Sequence, residues 1–329
     1  MSEWILVAGG LLVLSAGAEL FVRGASGIAT RFGVSKLLVG LTIAAYGTSA
    51  PELAVSSVAA LKGSSAVSLG NVVGSNVANL GLVLGLAAVI RPLVVHASLL
   101  KREVPFLLVS ALLLPLLAWD GQISRLDGML LLCGALLFTG VCAVQAIVQE
   151  RQTRRARQEA RARLEAGAAS EADAALLEEP RPAVLSLFAY LGVGSLGLVY
   201  GAQWLVDGAV LLAADLGVSE RVIGLTLVAV GTSLPEMATS LVSAFHGELD
   251  MAVGNVVGSN IFNVFFILGT TGVLVPIKVP SPVLSADMLT MVGLSLALVP
   301  LILTGQRISR IEGALLVGIY AVFTGLVVI

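Results

Sequence analysis

The sequence predicts an all-α polytopic membrane protein, ten transmembrane helices in two inverted five-helix repeats, and three observations carry that prediction. The first is composition. The 329 residues are 57% hydrophobic and 12% charged, with a mean hydropathy of +0.99, whereas a soluble domain carries about 25% charged residues. Several apolar runs reach the roughly 20 residues that cross a bilayer. Aromatics make up 5% and are spread along the chain, which argues against a membrane barrel with its girdles. The second is duplication. Residues 40–85, GLTIAAYGTSAPELAVSSVAALKGSSAVSLGNVVGSNVANLGLVLG, return at 224–269 as GLTLVAVGTSLPEMATSLVSAFHGELDMAVGNVVGSNIFNVFFILG, offset by 184 without a gap and identical at 24 of 46 positions. Chance apolar similarity would scatter the polar residues. Here they repeat best: Gly47-Thr48-Ser49-x-Pro51-Glu52 against Gly231-Thr232-Ser233-x-Pro235-Glu236, and Gly70-Asn71 through Asn76 against Gly254-Asn255 through Asn260. The third is the distribution of Lys and Arg, which fixes the orientation.

Taken in order, the first half gives spans at 3–22, 37–61, 66–89, 103–118 and 128–148, and the second at 184–205, 222–245, 251–274, 284–303 and 313–329. The fourth and tenth are short and are expected to tilt or to extend. The first resembles a signal peptide at Ala16-Gly17-Ala18, but its only early charge is Glu3 and a basic n-region is missing. Gly17-Ala18 and Gly24-Ala25 also have mid-chain counterparts in Gly201-Ala202 and Gly208-Ala209, so the segment belongs to the mature fold. Near the end of each half, residues 123–128 (ISRLDG) match 308–313 (ISRIEG) after a one-residue insertion. Residues 150–182, rich in Arg, Glu and Ala, form the one long polar stretch and read as a linker between a first repeat, 1–149, and a second, 183–329. With both termini outside, 15 of the 19 Lys and Arg fall on the inner side, and without the linker the split is still eight to four. The positive-inside rule therefore places the linker in the cytoplasm. Because each half has five spans, an odd number, the second enters the membrane in the opposite sense. That is the architecture of many secondary transporters, with the substrate site at the midplane between the repeats.

The repeated polar residues carry the chemistry. Glu52 and Glu236 lie near the middle of spans two and seven, where an ionised carboxylate costs several kcal/mol unless it is paired or hydrated. Neither span offers a Lys or Arg at that depth. One such Glu is compatible with a protonated, hydrogen-bonded carboxyl; two at equivalent positions of an inverted repeat point to a shared cation. Pro51 and Pro235 lack an N–H and break their helices. Gly47 and Gly231 are expected to loosen the backbone nearby, and the carbonyls of Ala45 and Ala229 to become available as ligands. Thr48, Ser49, Thr232 and Ser233 add hydroxyls. Ser75 and Asn79, four apart, share a helix face, as do Ser259 and Asn263. For that face alone, ordinary interhelical hydrogen bonding is the plainer reading, and Gly70, Gly74, Gly81, Gly85, Gly254 and Gly258 are expected to let helices approach closely. All these donors are hard oxygens, with no Cys or His among them, which suits Ca²⁺ or Na⁺ and not a soft metal.

The remaining features are quieter. Cys133 and Cys142, nine positions apart, fall on opposite helix faces and cannot pair within one helix. His96 and His246 lie in expected loops without ligand partners at helical spacing. The net charge of −2 says nothing about partners, and no basic, aromatic-interleaved surface suggests nucleic acid. No nucleophile–base pair or cofactor fingerprint suggests an enzyme. The expected partners are ions and the lipid bilayer, with no protein partner evident and no cofactor.

GTSxPE followed by GNVVGSN, present in both halves, resembles the α-repeats of the sodium/calcium exchangers in the cation/calcium exchanger superfamily, over nearly the whole chain. The resemblance implies ten helices, alternating access, and Na⁺ influx driving Ca²⁺ extrusion, with typically three Na⁺ or one Ca²⁺ bound. It implies that Glu52 and Glu236 serve both ions, that Thr48, Ser49, Ser75, Thr232, Ser233 and Ser259 complete the sites, and that the Ala45 and Ala229 carbonyls help to bind Na⁺. Asn79 and Asn263 are departures of interest, since some relatives carry an acidic residue at the second position. A linker of about 30 residues is too short for the calcium-sensing domains of large animal relatives, and with the small size of the chain it points to a prokaryotic plasma (inner) membrane. A calcium/proton antiporter using the same glutamates is the alternative, and a cation channel or a non-transporting scaffold are readings from other classes.

Overall fold

The computed structural model describes residues 3–95, 97–168, 170–178, 183–216, 229–279, 286–303 and 305–328. Its helices in chain order are α1 (Glu3–Phe32), α2 (Lys36–Thr48), α3 (Ala50–Leu61), α4 (Ser65–Ile90), α5 (Ala97–Leu117), α6 (Arg125–Glu165), α7 (Glu171–Glu178), α8 (Val184–Asp215), α9 (Ala229–Thr232), α10 (Leu234–Phe245), α11 (Leu249–Leu274), α12 (Ala286–Leu303) and α13 (Arg310–Val328). Seven are long and apolar enough to cross a membrane, or eight if α2 and α3, bent by 44° at Ser49, form one span. The chain is an all-helical integral membrane protein. The start of the expected seventh span, 222–228, and His96 lie outside the described residues.

Several elements run longer than their apolar cores. α1 extends ten residues past residue 22, because nothing breaks it before Gly33, whose φ of +68° ends the helix. α6 has 41 residues and continues through the polar stretch to Glu165, so the first half of the expected linker is rigid helix. Its Arg, Gln, Glu and Ala are strong helix formers, and the Arg154–Glu150 contact at 2.6 Å adds an i, i+4 pair. The repeated ISRLDG and ISRIEG motifs are helix starts. Ser124 caps α6 by accepting from the Asp127 amide at 3.3 Å while Asp127 accepts from the Ser124 amide at 2.8 Å. Ser309 and Glu312 repeat this at 3.3 and 2.7 Å at the head of α13.

α1 and α8 pack antiparallel along a seam of small residues. A Cβ added at Gly201 would stand 2.3 Å from the Leu14 amide nitrogen, and one at Gly17 2.6 Å from the Gly197 carbonyl carbon, so only glycine admits this approach. The same device sets α2 on α11, where Gly254 and Gly258 face the Leu37 and Leu41 carbonyls at 2.6 and 2.7 Å from a built Cβ. Gly81 and Gly85 do likewise against Tyr320 and Gly313 of α13. Gly70 and Gly74 have no described atom within 4 Å, so the expectation of close approach is met at four of the six positions. Cys133 is exposed and Cys142 buried, on opposite faces of α6.

Four two-residue strands tie the halves together. β1 (Leu93–Val94) pairs antiparallel with β4 (Arg307–Ile308), and β2 (Gln122–Ile123) with β3 (Ile277–Lys278). Each sheet takes one strand from either half, and the length of α5 separates β1 from β2 along the chain. The residue before β2 is Gly121 and the residue before β4 is Gln306; both are left-handed, at φ 86° and 50°. Their carbonyls accept the amides of Val279 and Val95, at 2.9 and 2.8 Å.

Gln306 is the one described non-glycine with positive φ, a conformation that costs an L-residue about 1–2 kcal/mol. Its exposed side chain leaves little to lose on removal. Gln306→Gly is expected to stabilise the protein by about 0.5–1 kcal/mol after the entropy cost of glycine, read as a higher thermal midpoint in detergent. A lowered midpoint would show the side chain to matter more than the backbone strain.

Candidate ion-binding site

The centre of the bundle is built from two broken helices. Ser49, between α2 and α3, has φ −84° and ψ 8°; Ser233, between α9 and α10, has φ −89° and ψ 5°. These are bridge-region values outside the helical well. Pro51 and Pro235 then sit in the first turn of the restarted helices, where a missing N–H costs nothing. The next residues are Glu52 and Glu236, both fully buried. Each carboxylate thus lies at the N-terminal, positive end of a half-helix inside the protein. Gly47 and Gly231 serve approach more than looseness: a Cβ would stand 2.9 Å from the Phe21 ring at the first and 2.5 Å from Val206 Cγ2 at the second. The Ala45 carbonyl is not released by the break, since it accepts the Ser49 amide at 3.1 Å. For Ala229 the backbone places the residue at the start of α9.

Polar contacts cross between the halves, and those of Thr48 and Thr232 are a matched pair. Ser49 Oγ donates to Glu236 Oε1 at 2.9 Å. Thr48 Oγ1 lies 3.3 Å from Asn255 Oδ1, with the Ala44 carbonyl of its own helix as a shorter acceptor at 3.0 Å, and Thr232 Oγ1 donates to Asn71 Oδ1 at 3.2 Å. Asn71 Nδ2 donates to Ser56 Oγ at 2.9 Å and to the Glu52 carbonyl at 3.2 Å; Asn255 Nδ2 donates to Ser240 Oγ at 3.0 Å and to the Glu236 carbonyl at 3.4 Å. The two asparagines therefore hold a carboxylate-bearing turn of their own half and a hydroxyl of the other. They did not figure among the ligand candidates read from the sequence. The signal was present, because both belong to the repeated GNVVGSN motif, but an amide that works through its neighbours looks the same there as one that packs helices.

The Ser/Asn faces meet the same centre. Asn79–Val83 and Asn263–Leu268 are π-helical, beginning at equivalent residues, and such bulges gather at functional sites. α3 packs against Asn263–Leu268 and α10 against Asn79–Val83. Thr48, Ser49, Glu52, Ser75, Asn79, Ser233, Glu236, Ser259 and Asn263 are each at most 3% exposed; Thr232 is partly buried. Asn263 Nδ2 donates to Asn76 Oδ1 at 3.0 Å, which leaves its own Oδ1 without a partner. Ser75 Oγ, Ser233 Oγ, Ser259 Oγ, Glu236 Oε2 and both polar atoms of Asn79 are likewise buried without a hydrogen bond. Neither Glu52 oxygen accepts a well-formed hydrogen bond, and its carboxyl interacts directly with that of Glu236 and with Ser233. Buried polar atoms are nearly always satisfied; a cluster of unsatisfied oxygens around two interacting carboxyls is the arrangement a desolvated hard cation requires. No group of three or more His, Cys, Asp and Glu occurs among the described residues, so hydroxyl, amide and carbonyl oxygens must supply most of any coordination shell.

The comparisons with known proteins give the family. The model of the family described as sodium/calcium exchanger protein matches residues 2–144 and 186–329, that is, both halves without the polar stretch between them. The sodium/calcium exchanger MaX1 of Methanosarcina acetivorans is 36% identical over 349 residues, covering 98% of this chain and 97% of the relative. The putative antiporter CaxA of Alkalimonas amylolytica is 36% identical over 315 residues, covering 95% and 94%. Among solved structures, the sodium-calcium exchanger NCX_Mj soaked with 2.5 mM Na⁺ and 1 mM Sr²⁺ superposes with a TM-score of 0.80 at 31% identity, over 98% of this chain and 97% of that one. With a match that spans both halves and a fold shared along nearly its full length, this chain belongs to the sodium/calcium exchanger protein family.

Proposed function

We propose that this protein is a secondary antiporter that exchanges Na⁺ for Ca²⁺ by alternating access, with the two ions competing for one pair of carboxylates. The observation that carries the reading is the meeting of Glu52 and Glu236, fully buried and in direct interaction, amid hydroxyl and amide oxygens that lack protein partners. Two negative charges in a low-dielectric interior must be offset by protons or a cation. One Ca²⁺ neutralises the pair, whereas three Na⁺ leave a net positive charge, so exchange in that ratio is electrogenic. Thr48, Ser49, Ser75, Thr232, Ser233 and Ser259 supply hydroxyl oxygens, and Asn79 and Asn263 amide oxygens. Ala45 and Ala229 add carbonyls, Ala45 through the lone pair that its Ser49 hydrogen bond leaves over. Because residues 79 and 263 are amides in this chain, proton coupling at this site falls to the two glutamates.

The same proposal includes ten spans in two inverted repeats, 1–149 and 183–329, joined by a linker at 150–182 on the cytoplasmic side of a prokaryotic inner membrane. Support comes from the repeated breaks at Ser49 and Ser233, the matched π-helical turns, and the two cross-half sheets whose strands exchange roles under the repeat. The skew of Lys and Arg supports the orientation.

Proteoliposomes loaded with Na⁺ should take up Ca²⁺ when diluted into Na⁺-free buffer. Glu52→Gln and Glu236→Gln should each reduce that uptake to background while the protein still reconstitutes. Uptake that ignored Na⁺ and followed an imposed pH gradient would replace Na⁺ by H⁺ as the coupled ion, and unaltered uptake in both variants would remove the glutamates from the site.

The asparagines yield a separate prediction. Asn255→Ala removes the amide that bonds the Ser240 hydroxyl and the Glu236 carbonyl in a fully buried setting, a cost of about 1–3 kcal/mol. Asn71→Ala, at a partly buried position, should cost less. Thermal unfolding of the two variants in detergent checks the order; the reverse order would mean that the two networks differ in ways their matched geometry does not express.

A further inference from the structure

The carboxamides of Asn79 and Asn263 are equivalent under the repeat, yet only one of them is held. Asn263 Nδ2 donates to Asn76 Oδ1 at 3.0 Å, across the boundary between the halves. Asn79 has no hydrogen bond at either polar atom among the described residues. The counterpart of Asn76 does not make up the difference, because Asn260 Nδ2 turns back to the Val256 carbonyl of its own helix at 2.8 Å. Asn76, Asn260 and Met291 are all buried, so bulk water does not compete for these groups.

A chain of one-way bonds sets the direction of Asn263. Asn76 Nδ2 donates to the Asn260 carbonyl at 3.3 Å and lies 3.5 Å from Met291 Sδ on α12. A carbonyl and a thioether can only accept, so the Asn76 nitrogen must face them, and its oxygen then faces the other way, toward Asn263. That oxygen takes the Asn263 nitrogen as its donor. The Asn263 oxygen is left on the opposite edge of its planar amide, buried and without a protein partner. Asn263 heads the π-helical turn that packs against α3, the helix whose first turn carries Glu52. Reversing Asn263 would set two oxygens against each other at Asn76 and aim an N–H at the place a cation would fill; reversing Asn76 would set its oxygen against the Asn260 carbonyl.

We infer that Asn76 is a positioning residue for ion binding, which locks the Asn263 side chain with its oxygen toward the site as a preset ligand. The inference rests on the reading of Asn263 as an ion ligand and adds a residue that acts through it. It also divides the two site amides by role. Asn263 offers an oxygen before any ion arrives, so binding has no reorientation to drive there. Asn79 has no hydrogen bond to break when it turns, and it presents its oxygen as the ion draws it. Removing a group that orients a ligand typically lowers metal affinity by about 10–100-fold, so the bond from Asn263 to Asn76 should be felt at the ion although Asn76 directs its own polar atoms at protein neighbours.

The test is calorimetric titration of the full-length protein with Ca²⁺ in non-ionic detergent and Na⁺-free buffer. Asn76→Leu should bind Ca²⁺ about tenfold more weakly than the wild type; Asn76→Ala makes the same comparison should the leucine variant not fold. Asn76→Asp, which keeps an oxygen acceptor for the Asn263 nitrogen, should bind no more weakly than the wild type. Asn263→Ala should weaken binding by itself, and Asn76→Leu added to it should weaken binding no further, because the amide it positions is gone. Fold-changes that multiply in the double variant, or a loss with Asn76→Asp equal to that with Asn76→Leu, would reduce Asn76 to helix packing and overturn the assignment while leaving the ion site in place. An unchanged affinity in Asn263→Ala would instead remove Asn263 as a ligand, and the positioning role with it.

Discussion

A carboxylate in the hydrocarbon zone must have its charge answered, and this fold answers it twice in the same place. The cost of an ionised Glu at bilayer depth is several kcal/mol, and among the described residues neither Glu52 nor Glu236 forms an ion pair with a Lys or Arg. What they have is the first turn of a helix and each other, and Glu236 has in addition the Ser49 hydroxyl from the opposite half. The breaks at Ser49 and Ser233 follow from this need. An unbroken helix would present the carboxylate to its flank, with every amide already bonded; a helix restarted at that depth presents it to a positive end. Such irregular backbone within a membrane is tolerated only where it lines a polar interior, so the breaks and the polar cluster require each other.

The second constraint is that two halves must meet without covalent help across most of their contact. They do so by exchange: Thr48 reaches Asn255 and Thr232 reaches Asn71, while β1 takes β4 and β3 takes β2. These interactions have their counterparts in the other half, so a displacement that loosens one strains its match, while the Ser49–Glu236 and Asn263–Asn76 bonds have none. Glycine makes the contact close enough for this, because Gly254 and Gly258 bring α2 to backbone distance of α11. The hydroxyl–amide bonds that follow are short-range and would be lost if a methyl group intervened.

Much of this was legible in the sequence, since duplication marks function and packing alike. The repeated GTSxPE located both helix breaks, and the repeated Glu located the charges. ISRLDG and ISRIEG were visible as a repeat, although their role as capping boxes appears only once the Ser–Asp and Ser–Glu bonds are seen. What sequence could not show was direction. Proline suggested freed carbonyls at Ala45 and Ala229; Pro51 lacks the amide that would bond to Gly47, and the Ala45 oxygen accepts the Ser49 amide, whereas the Ser233 amide bonds to Val230 and not to Ala229. Nor could periodicity find the end of α1 or of α6, because hydropathy stops at the membrane surface while helix propensity does not. The polar continuation of α6, which composition marked as linker, is helix as far as Glu165.

The two halves are alike in sequence but not in burial, and that difference is a property an alternating-access protein must have. In α4, 72% of the apolar stretch is buried, against 94% in the equivalent α11. Asn71 is partly exposed where Asn255 is at 0%. Thr239, Ser240 and Ser243 of α10 are sealed at 0%, whereas on α3 only Glu52, Ser56 and Ala60 are buried. If both halves were equally closed, nothing would enter, and if both were equally open the gradient would be lost. A duplicated chain escapes this by letting its halves take two packings of one motif, so that the state in which they are exchanged differs little in energy from the first. The matched hydrogen bonds are what make the two packings comparable, and the pair of carboxyls they enclose is what must be satisfied before one can give way to the other.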